Sequence, residues 1–427
     1  MNAAIIFVLL LVLMLTGMPV SISLGLTVLT FLFAFTQVPL ESVALKLFTG
    51  IESFEIMAIP FFILAGNFLT HGGVARRMIN FATSMVGHWY GGLGLGGVLA
   101  CALFAAVSGS SPATVVAIGS ILLPAMVKAG FPKQFGAGVI TTSGALGILI
   151  PPSIVMVMYS VATNTSVGAL FMAGVVPGLA LAGVLGGVTY WRARKYNYPR
   201  LPKASWGERW AAFRKSAWGL FLIIVVMGGI YTGMFTPTEA AAMSAVYAFV
   251  VAVFIYKDMG LKDVPKVLLN SANMSAMLLY IITNAVLFSF ILTNENIPQA
   301  LADWMLGHGL GMITFLLAVN VILLLAGNFM EPSSIMLIFA PILFPVAMKL
   351  GIDPVHFGII MVVNMEVGMC HPPVGLNLYV ASGITKMGIT ELTVAVWPWL
   401  LAMLGFLGVV TYWPTLSLWF PRLLGMM

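Results

Sequence analysis

Charge is scarce in this chain: 7% of its 427 residues are Asp, Glu, Lys or Arg, against 61% apolar residues and a mean hydropathy of +1.07. No soluble fold hides that much apolar surface from water, so the composition excludes a free globular domain and requires a bilayer. Cysteine is nearly absent. Cys101 and Cys370 each sit in an apolar stretch, which excludes a disulfide framework and reads as packing. The start, Met1-Asn2-Ala3-Ala4, lacks the basic region of a cleavable signal, and the apolar run behind it is too long for one, so Met1 is expected to be retained. Also missing are G-x-x-x-x-G-K-[ST], H-E-x-x-H and any Cys/His metal set, which removes the parts for ATP hydrolysis and metalloprotease chemistry. The run Gly91-Gly92-Leu93-Gly94-Leu95-Gly96-Gly97 has no preceding strand and reads as helix packing rather than a dinucleotide loop. No enzyme activity is expected, and an intramembrane hydrolase would lack an oriented nucleophile and base.

The net charge of +6 is concentrated rather than spread, which argues against a nucleic-acid partner. Eight of the 19 Lys and Arg residues are Arg192, Arg194, Lys195, Arg200, Lys203, Arg209, Arg214 and Lys215, opposed within that stretch by Glu208 alone. Under the positive-inside rule this is a cytoplasmic loop.

That loop divides two related halves. Residues 121–177 return without a gap as residues 342–398, so that Pro124, Lys128, Gly130, Gly147, Pro151, Pro152 and Pro177 meet Pro345, Lys349, Gly351, Gly368, Pro372, Pro373 and Pro398. The identities fall on residues that break helices, so the copies share a backbone plan. Inside a bilayer, freed backbone groups persist only where protein or a water-filled cavity satisfies them, and secondary transporters use paired interruptions to build a central site. The expected fold is an all-α polytopic membrane protein with inverted repeats, two re-entrant helical hairpins and two broken helices.

In the first half, apolar limbs at 93–107 and 113–127 flank Ser108-Gly109-Ser110-Ser111-Pro112. Each limb holds about 15 residues where a span needs about 20, so the pair is expected to enter and leave on one side. Residues 134–160 are then interrupted at Gly144, Gly147, Pro151 and Pro152. The second half repeats this with limbs at 312–328 and up to 348 around Glu331-Pro332-Ser333-Ser334, then a broken stretch at 357–380 and a last span from 392 to about 413. Between the halves, spans at 218–234 and 240–256 flank Thr236-Pro237-Thr238-Glu239, which has the form of a helix cap, and 264–294 reads as a mixed segment.

The two knots and two breaks should meet if the copies are related by a pseudo-two-fold axis. Helix N-termini there would face an anion, while C-terminal carbonyls and hydroxyls suit a hard cation such as sodium. Ser108, Ser110, Ser111, Thr114, Thr141, Thr142 and Ser143 are available from the first half, and Asn328, Glu331, Ser333, Ser334, Asn364, Glu366 and Asn377 from the second. Serines in membrane helices also bond their own i−4 carbonyl. A carboxylate embedded in a span is costly without a partner. Glu331 and Glu366 therefore either coordinate an ion, share a proton, reach the interface or cap a half-helix. His371 either senses protons, helps to bind an anion or is a hydrogen-bonded structural residue. Arg76, Arg77, Lys128 and Lys349 read as snorkelling residues at helix ends, with steering of an anion or a salt bridge as the other roles open to them.

The segments Gly72-Gly73-Val74-Ala75-Arg76-Arg77, Ser108-Gly109-Ser110-Ser111-Pro112-Ala113-Thr114, Gly147-Ile148-Leu149-Ile150-Pro151-Pro152-Ser153, Phe235-Thr236-Pro237-Thr238-Glu239-Ala240 and Pro372-Pro373-Val374-Gly375-Leu376-Asn377 resemble the large membrane subunit of tripartite ATP-independent periplasmic (TRAP) transporters. The resemblance covers essentially the whole chain. It implies an elevator-type, sodium-coupled importer (a symporter) in the bacterial inner membrane, with no cofactor beyond the coupling Na+. It also implies two partners, a small four-helix membrane subunit of Q type and a periplasmic substrate-binding protein of P type.

On the same resemblance, Ser108, Ser111, Gly144 and Gly147 would lie near one sodium, and Glu331, Ser334, Met365 and Gly368 near another, with no transition metal. Substrate would lie between the hairpin tips, at Ser110, Ser111, Pro112, Thr114, Ser333, Ser334 and Asn377. The tips are closer to the C4-dicarboxylate branch than to the sialic-acid branch, so succinate, malate or fumarate is expected, with sialic acid or another sugar acid as the alternative. The implied parts are scaffold helices at 1–90 and 217–310, transport repeats at 91–190 and 311–427, and a basic loop at 191–216. An anion channel would need a continuous polar pore, and a non-transporting scaffold has no use for duplicated broken helices.

Overall fold

A computed structural model describes residues 2–36, 38–309, 311–328, 330–372 and 375–426, and every regular element in it is a helix. Met1, Phe329, Pro373 and Val374, which figure in the readings above, lie outside the described residues.

The chain opens with α1 (Asn2–Leu15), α2 (Val20–Phe35), α3 (Leu40–Thr49) and α4 (Ala58–His71). Gly17, at φ +83°, separates the first two, a conformation that costs glycine nothing. Next, α5 (Val74–Val86) buries Val74, Ala75, Met78, Ile79 and Ala82, the three-to-four spacing of an amphipathic helix at an interface. The first repeat follows as α6 (Gly92–Ser108), α7 (Ser111–Lys128), α8 (Lys133–Gly144), α9 (Ile154–Thr163) and α10 (Val167–Lys195).

The middle of the chain forms α11 (Trp206–Tyr231), α12 (Pro237–Val250), α13 (Val264–Asn294) and α14 (Ile297–Gly307). The second repeat comprises α15 (Met312–Gly327), α16 (Pro332–Lys349), α17 (Pro354–Cys370), α18 (Leu376–Thr385) and α19 (Ile389–Tyr412), with α20 (Thr415–Leu423) last. The repeat read from prolines and glycines is a repeat of helices: α7 and α16 begin and end 221 positions apart, 332 less 111 and 349 less 128.

The halves interlock. In each half the second arm of the hairpin carries the distal part of the other half's broken helix, α9 on α16 and α18 on α7. Likewise α12 lies on α4 and α2 on α13, the same pairing exchanged between halves. Trp399 is fully buried and donates from Nε1 to Thr189 Oγ1 at 2.9 Å, fastening α19 to α10.

Both hairpins re-enter, and their first limbs, α6 and α15, at 17 and 16 residues fall short of a span. α7 and α16 have 18 residues each and are long and apolar enough to cross a membrane. In the first hairpin the chain reverses at Gly109, φ +61°, and both ends lie at one face. Gly91, before α6, lies against Ala193, and Gly130, after α7, lies against Pro199, in the segment between α10 and α11.

Three other expectations need correction. Most of the basic stretch is helical, since α10 runs to Lys195 and α11 starts at Trp206, so the connection is shorter than 191–216. Residues 264–294 form one continuous helix of 31 residues, in which Ser271, Ser275, Thr283, Asn284 and Thr293 bond i−4 carbonyls and Asn67 Nδ2 of α4 donates to Ser271 Oγ at 2.8 Å. The C-terminal α20, folded back on α10, was not expected.

Side-to-side contacts give the orientation. At one face, Arg77 pairs with Asp258 and stacks 3.8 Å from the Tyr256 ring centroid, Tyr256 Oη donates to the Lys215 carbonyl at 2.7 Å, and Gln134 Nε2 donates to Glu391 at 3.1 Å. At the other, Thr238 Oγ1 donates to the Phe54 carbonyl at 2.9 Å, Tyr159 Oη to the Pro354 carbonyl at 2.7 Å, and Lys349 pairs with Asp303 at 3.0 Å. Tracing the helices between these faces puts every Lys and Arg at the first, apart from Lys46, Lys349 and Arg422. The first face is therefore the cytoplasmic one.

Candidate functional site

Four helices stop and four start in the middle of the molecule. α6, α8, α15 and α17 end there with carbonyls that have no helical partner, and α7, α9, α16 and α18 begin with free N–H groups. Of the starts, α9 alone has its N-cap side chain in use, Ser153 Oγ accepting from Met156 N at 3.4 Å. Ser110, Glu331 and Gly375, at the N-caps of α7, α16 and α18, make no side-chain cap. The centre thus offers positive helix ends to an anion and oxygen-rich helix ends to a cation.

The first hairpin tip is locked to the first break. Ser111 Oγ donates to the Gly144 carbonyl at 2.9 Å, and a Cβ on Gly147 would stand 2.6 Å from the Ser110 carbonyl group. Only glycine permits that approach. Ser108 and Thr114 share a hydroxyl contact of 3.0 Å, and Thr114 Oγ1 donates to the Ser110 carbonyl at 2.8 Å. Pro112 sits half-buried in the first turn of α7. The Ser108, Ser111, Gly144 and Gly147 set named from sequence is therefore contiguous, and Ser110 and Thr114 adjoin it.

The second tip meets the second break in the same way. Gly327 and Gly368 are so close that a Cβ on either would stand about 3 Å from the other's Cα. Ser334 Oγ donates to Glu331 Oε1 at 3.3 Å, Ser333 and Ser334 are buried in the first turn of α16, and Met365 is buried in α17 one turn before Gly368. Met365 and Gly368 stand 221 positions after Gly144 and Gly147. His371 Nδ1 lies 2.9 Å from Asn328 Oδ1, a pairing in which the ring nitrogen must be the donor. Of the readings open for His371, that bond ties it to the second tip.

Asn377 joins the two half-sites. Its Nδ2 donates to Ser111 Oγ at 2.8 Å and to the Thr141 carbonyl at 3.3 Å, linking the start of α18 to the first hairpin. Among the described residues no hydrogen bond joins Ser333 or Ser334 to the first tip, so Asn377 carries that link.

Acceptors outnumber donors here. Among the described residues, Ser143 Oγ, Asn364 Oδ1, Asn377 Oδ1 and both oxygens of Glu366 are buried without a hydrogen-bond partner. A surplus of oxygen lone pairs, without a compensating Lys or Arg among the described residues, suits a hard cation.

Sequence reasoning missed two participants. Asn320 accepts from Asn364 Nδ2 at 2.9 Å and donates to Thr411 Oγ1 at 2.9 Å, pinning α15 to α17 and α19. As a lone amide within an apolar limb it could have been found. Cys370, read as packing, has its Sγ 3.5 Å from the Thr141 carbonyl and 3.9 Å from Asn377 Nδ2.

With this geometry in place, comparison with known proteins is decisive. The family model described as "Tripartite ATP-independent periplasmic transporter, DctM component" matches residues 7–416. This chain belongs to that family. It is 76% identical, over all of both chains, to the C4-dicarboxylate TRAP transporter large permease protein DctM of Rhodobacter capsulatus. It is 56% identical, over 95% of each chain, to the protein of the same description from Pseudomonas aeruginosa. The crystal structure of the Alcanivorax borkumensis YdaH transporter superposes with a TM-score of 0.63 at 16% identity, covering 88% of each chain, a likeness of fold alone. The chain is thus a TRAP large permease, a transport subunit rather than an enzyme, and a multi-pass protein of the bacterial inner membrane. Permeases of this family work with a substrate-binding protein and usually with a small membrane subunit.

Proposed function

We propose that this permease imports C4-dicarboxylates such as succinate, malate or fumarate, driven by a sodium gradient. The observation that carries the reading is the pair of equivalent half-sites, each with an uncapped helix start beside carbonyl-bearing helix ends. A small dianion matches a two-fold arrangement, one carboxylate facing each repeat's helix start. The relatives' names support the substrate class.

Sodium would be held by Ser108, Ser111, Gly144 and Gly147 in the first repeat and by Glu331, Ser334, Met365 and Gly368 in the second, mostly through carbonyl oxygens. Ser110, Ser111, Pro112, Thr114, Ser333, Ser334 and Asn377 would face the substrate. A bound cation between tip and break offsets the anion's charge and draws the tip against the broken helix. Cation and anion then favour each other's binding, which is the coupling a symporter needs.

Repeats 91–190 and 311–427 would move as the elevator against scaffold helices at 1–90 and 217–310. A Q-type four-helix subunit would brace that scaffold, and a P-type periplasmic protein would deliver the substrate. The test is uptake of radiolabelled succinate into proteoliposomes containing this chain, its small partner and the cognate binding protein. Inward sodium should drive uptake above the potassium control. Equal uptake without sodium, or succinate refused while a sugar acid is taken up, would overturn the reading.

A further inference from the structure

Glu366 belongs to neither sodium set, yet its burial is more complete than that of Glu331. It is 0% exposed, and neither carboxylate oxygen has a partner among the described residues, whereas Glu331 is part-exposed and accepts from Ser334. The ion pairs found in the described residues, Arg77–Asp258 and Lys349–Asp303, lie at the two faces, and neither involves Glu366. A carboxylate sealed away from water without a counter-charge costs several kcal/mol on the order of the insertion scales.

Cys370 connects Glu366 to Asn377. Cys370 follows one helical turn later, on the same side of α17, and its Sγ lies 3.9 Å from Asn377 Nδ2. The Asn377 amide is fixed in orientation, because its N–H groups are taken by Ser111 Oγ and the Thr141 carbonyl, and a carbonyl can only accept. Asn377 Oδ1 is therefore left unpaired among the described residues, a further buried oxygen without a donor. A single proton on Glu366 would serve one of these lone-pair sites and leave the others vacant. A hard cation shared between them serves all.

We infer that Glu366 and Asn377 Oδ1 form a third cation site, taking sodium and travelling with the substrate. The inference rests on the sodium-driven reading above and extends it to stoichiometry. Two sodium ions offset the two charges of a dicarboxylate and leave Glu366 uncompensated during passage through the bilayer. A third ion offsets the Glu366 charge itself. Because Asn377 also holds Ser111, this ion would set the hairpin tip before the dianion arrives.

The test measures sodium:succinate coupling from reversal potentials in proteoliposomes, alongside sodium-dependent thermal stabilisation of the purified permease without substrate. Glu366→Gln should lower the coupling ratio by one ion and reduce the sodium-induced stabilisation. Glu366→Asp, which keeps the charge on a shorter arm, should retain the ratio and shift the sodium midpoint upward several-fold, and it covers the case in which Glu366→Gln does not fold. An unchanged ratio and midpoint in Glu366→Gln would overturn the third site, as would loss of a pH-gradient dependence with the sodium ratio intact. Were wild-type uptake and melting indifferent to sodium, the sodium-driven reading itself would fail, a result distinct from either.

Discussion

Replacing Gly147 by alanine tests whether the contact between first tip and first break is the sodium switch. The new Cβ would lie 2.6 Å from the Ser110 C and O atoms and 2.7 Å from Ser111 N, where ordinary contacts begin at 3.4 Å. These are backbone atoms at a helix start and cannot swing aside, so the tip must withdraw by roughly 0.8 Å (3.4 less 2.6) or carry overpacking strain of about 1–3 kcal/mol. If that strain falls on the ion-bound state, sodium affinity should drop by about 5- to 150-fold, the range that such a coupling energy spans. Sodium titrations of thermal stability and of succinate uptake would both read it. Gly408→Ala is the control, because nothing lies within 4 Å of the added methyl. A Gly147→Ala protein with the wild-type sodium midpoint would refute the argument that this close approach forms the site.

Ser111→Ala and Glu331→Ala should each raise the sodium concentration for half-maximal uptake, and unchanged dependence in both would remove the sodium assignment. Asn377→Ala breaks the link between the half-sites, so uptake should fall by about tenfold or more if the lost hydrogen bonds are worth about 1.5 kcal/mol in the transporting state; wild-type rates would exclude a joining role. Asn364→Leu strands the Asn320 oxygen and should destabilise the fold by about 1–3 kcal/mol, read as a lower melting temperature in detergent, and an unaltered melt would contradict the network. Asp258→Asn removes a partly exposed ion pair and should cost no more than about 1 kcal/mol, so a collapse of expression would show that this contact has more than a local role.

The repeat, the hairpins, the breaks and the membrane location were all legible in the sequence, because prolines, glycines, apolar runs and charge bias act locally. Pro332 at the start of α16, the Thr236–Glu239 capping box and the turn at Gly17 are set by backbone geometry within a few residues, wherever the rest of the chain goes. The positive-inside asymmetry needs no fold at all. Sequence misjudged some lengths: the second limbs α7 and α16 are long enough to cross whereas α6 and α15 are not, and the basic loop is mostly helix, because periodicity says little about where a buried helix ends.

Which residues meet was decided by tertiary structure. Ser111 is 266 positions from Asn377 and finds it only because the halves interlock, with α18 lying on the first hairpin. That Glu366 has no partner, that Asn320 ties three helices, and that Gly147 presses on one tip while Gly368 presses on the other follow from packing across long separations. No window of sequence contains that information, since a hydrogen bond between distant segments leaves no periodic trace in either one.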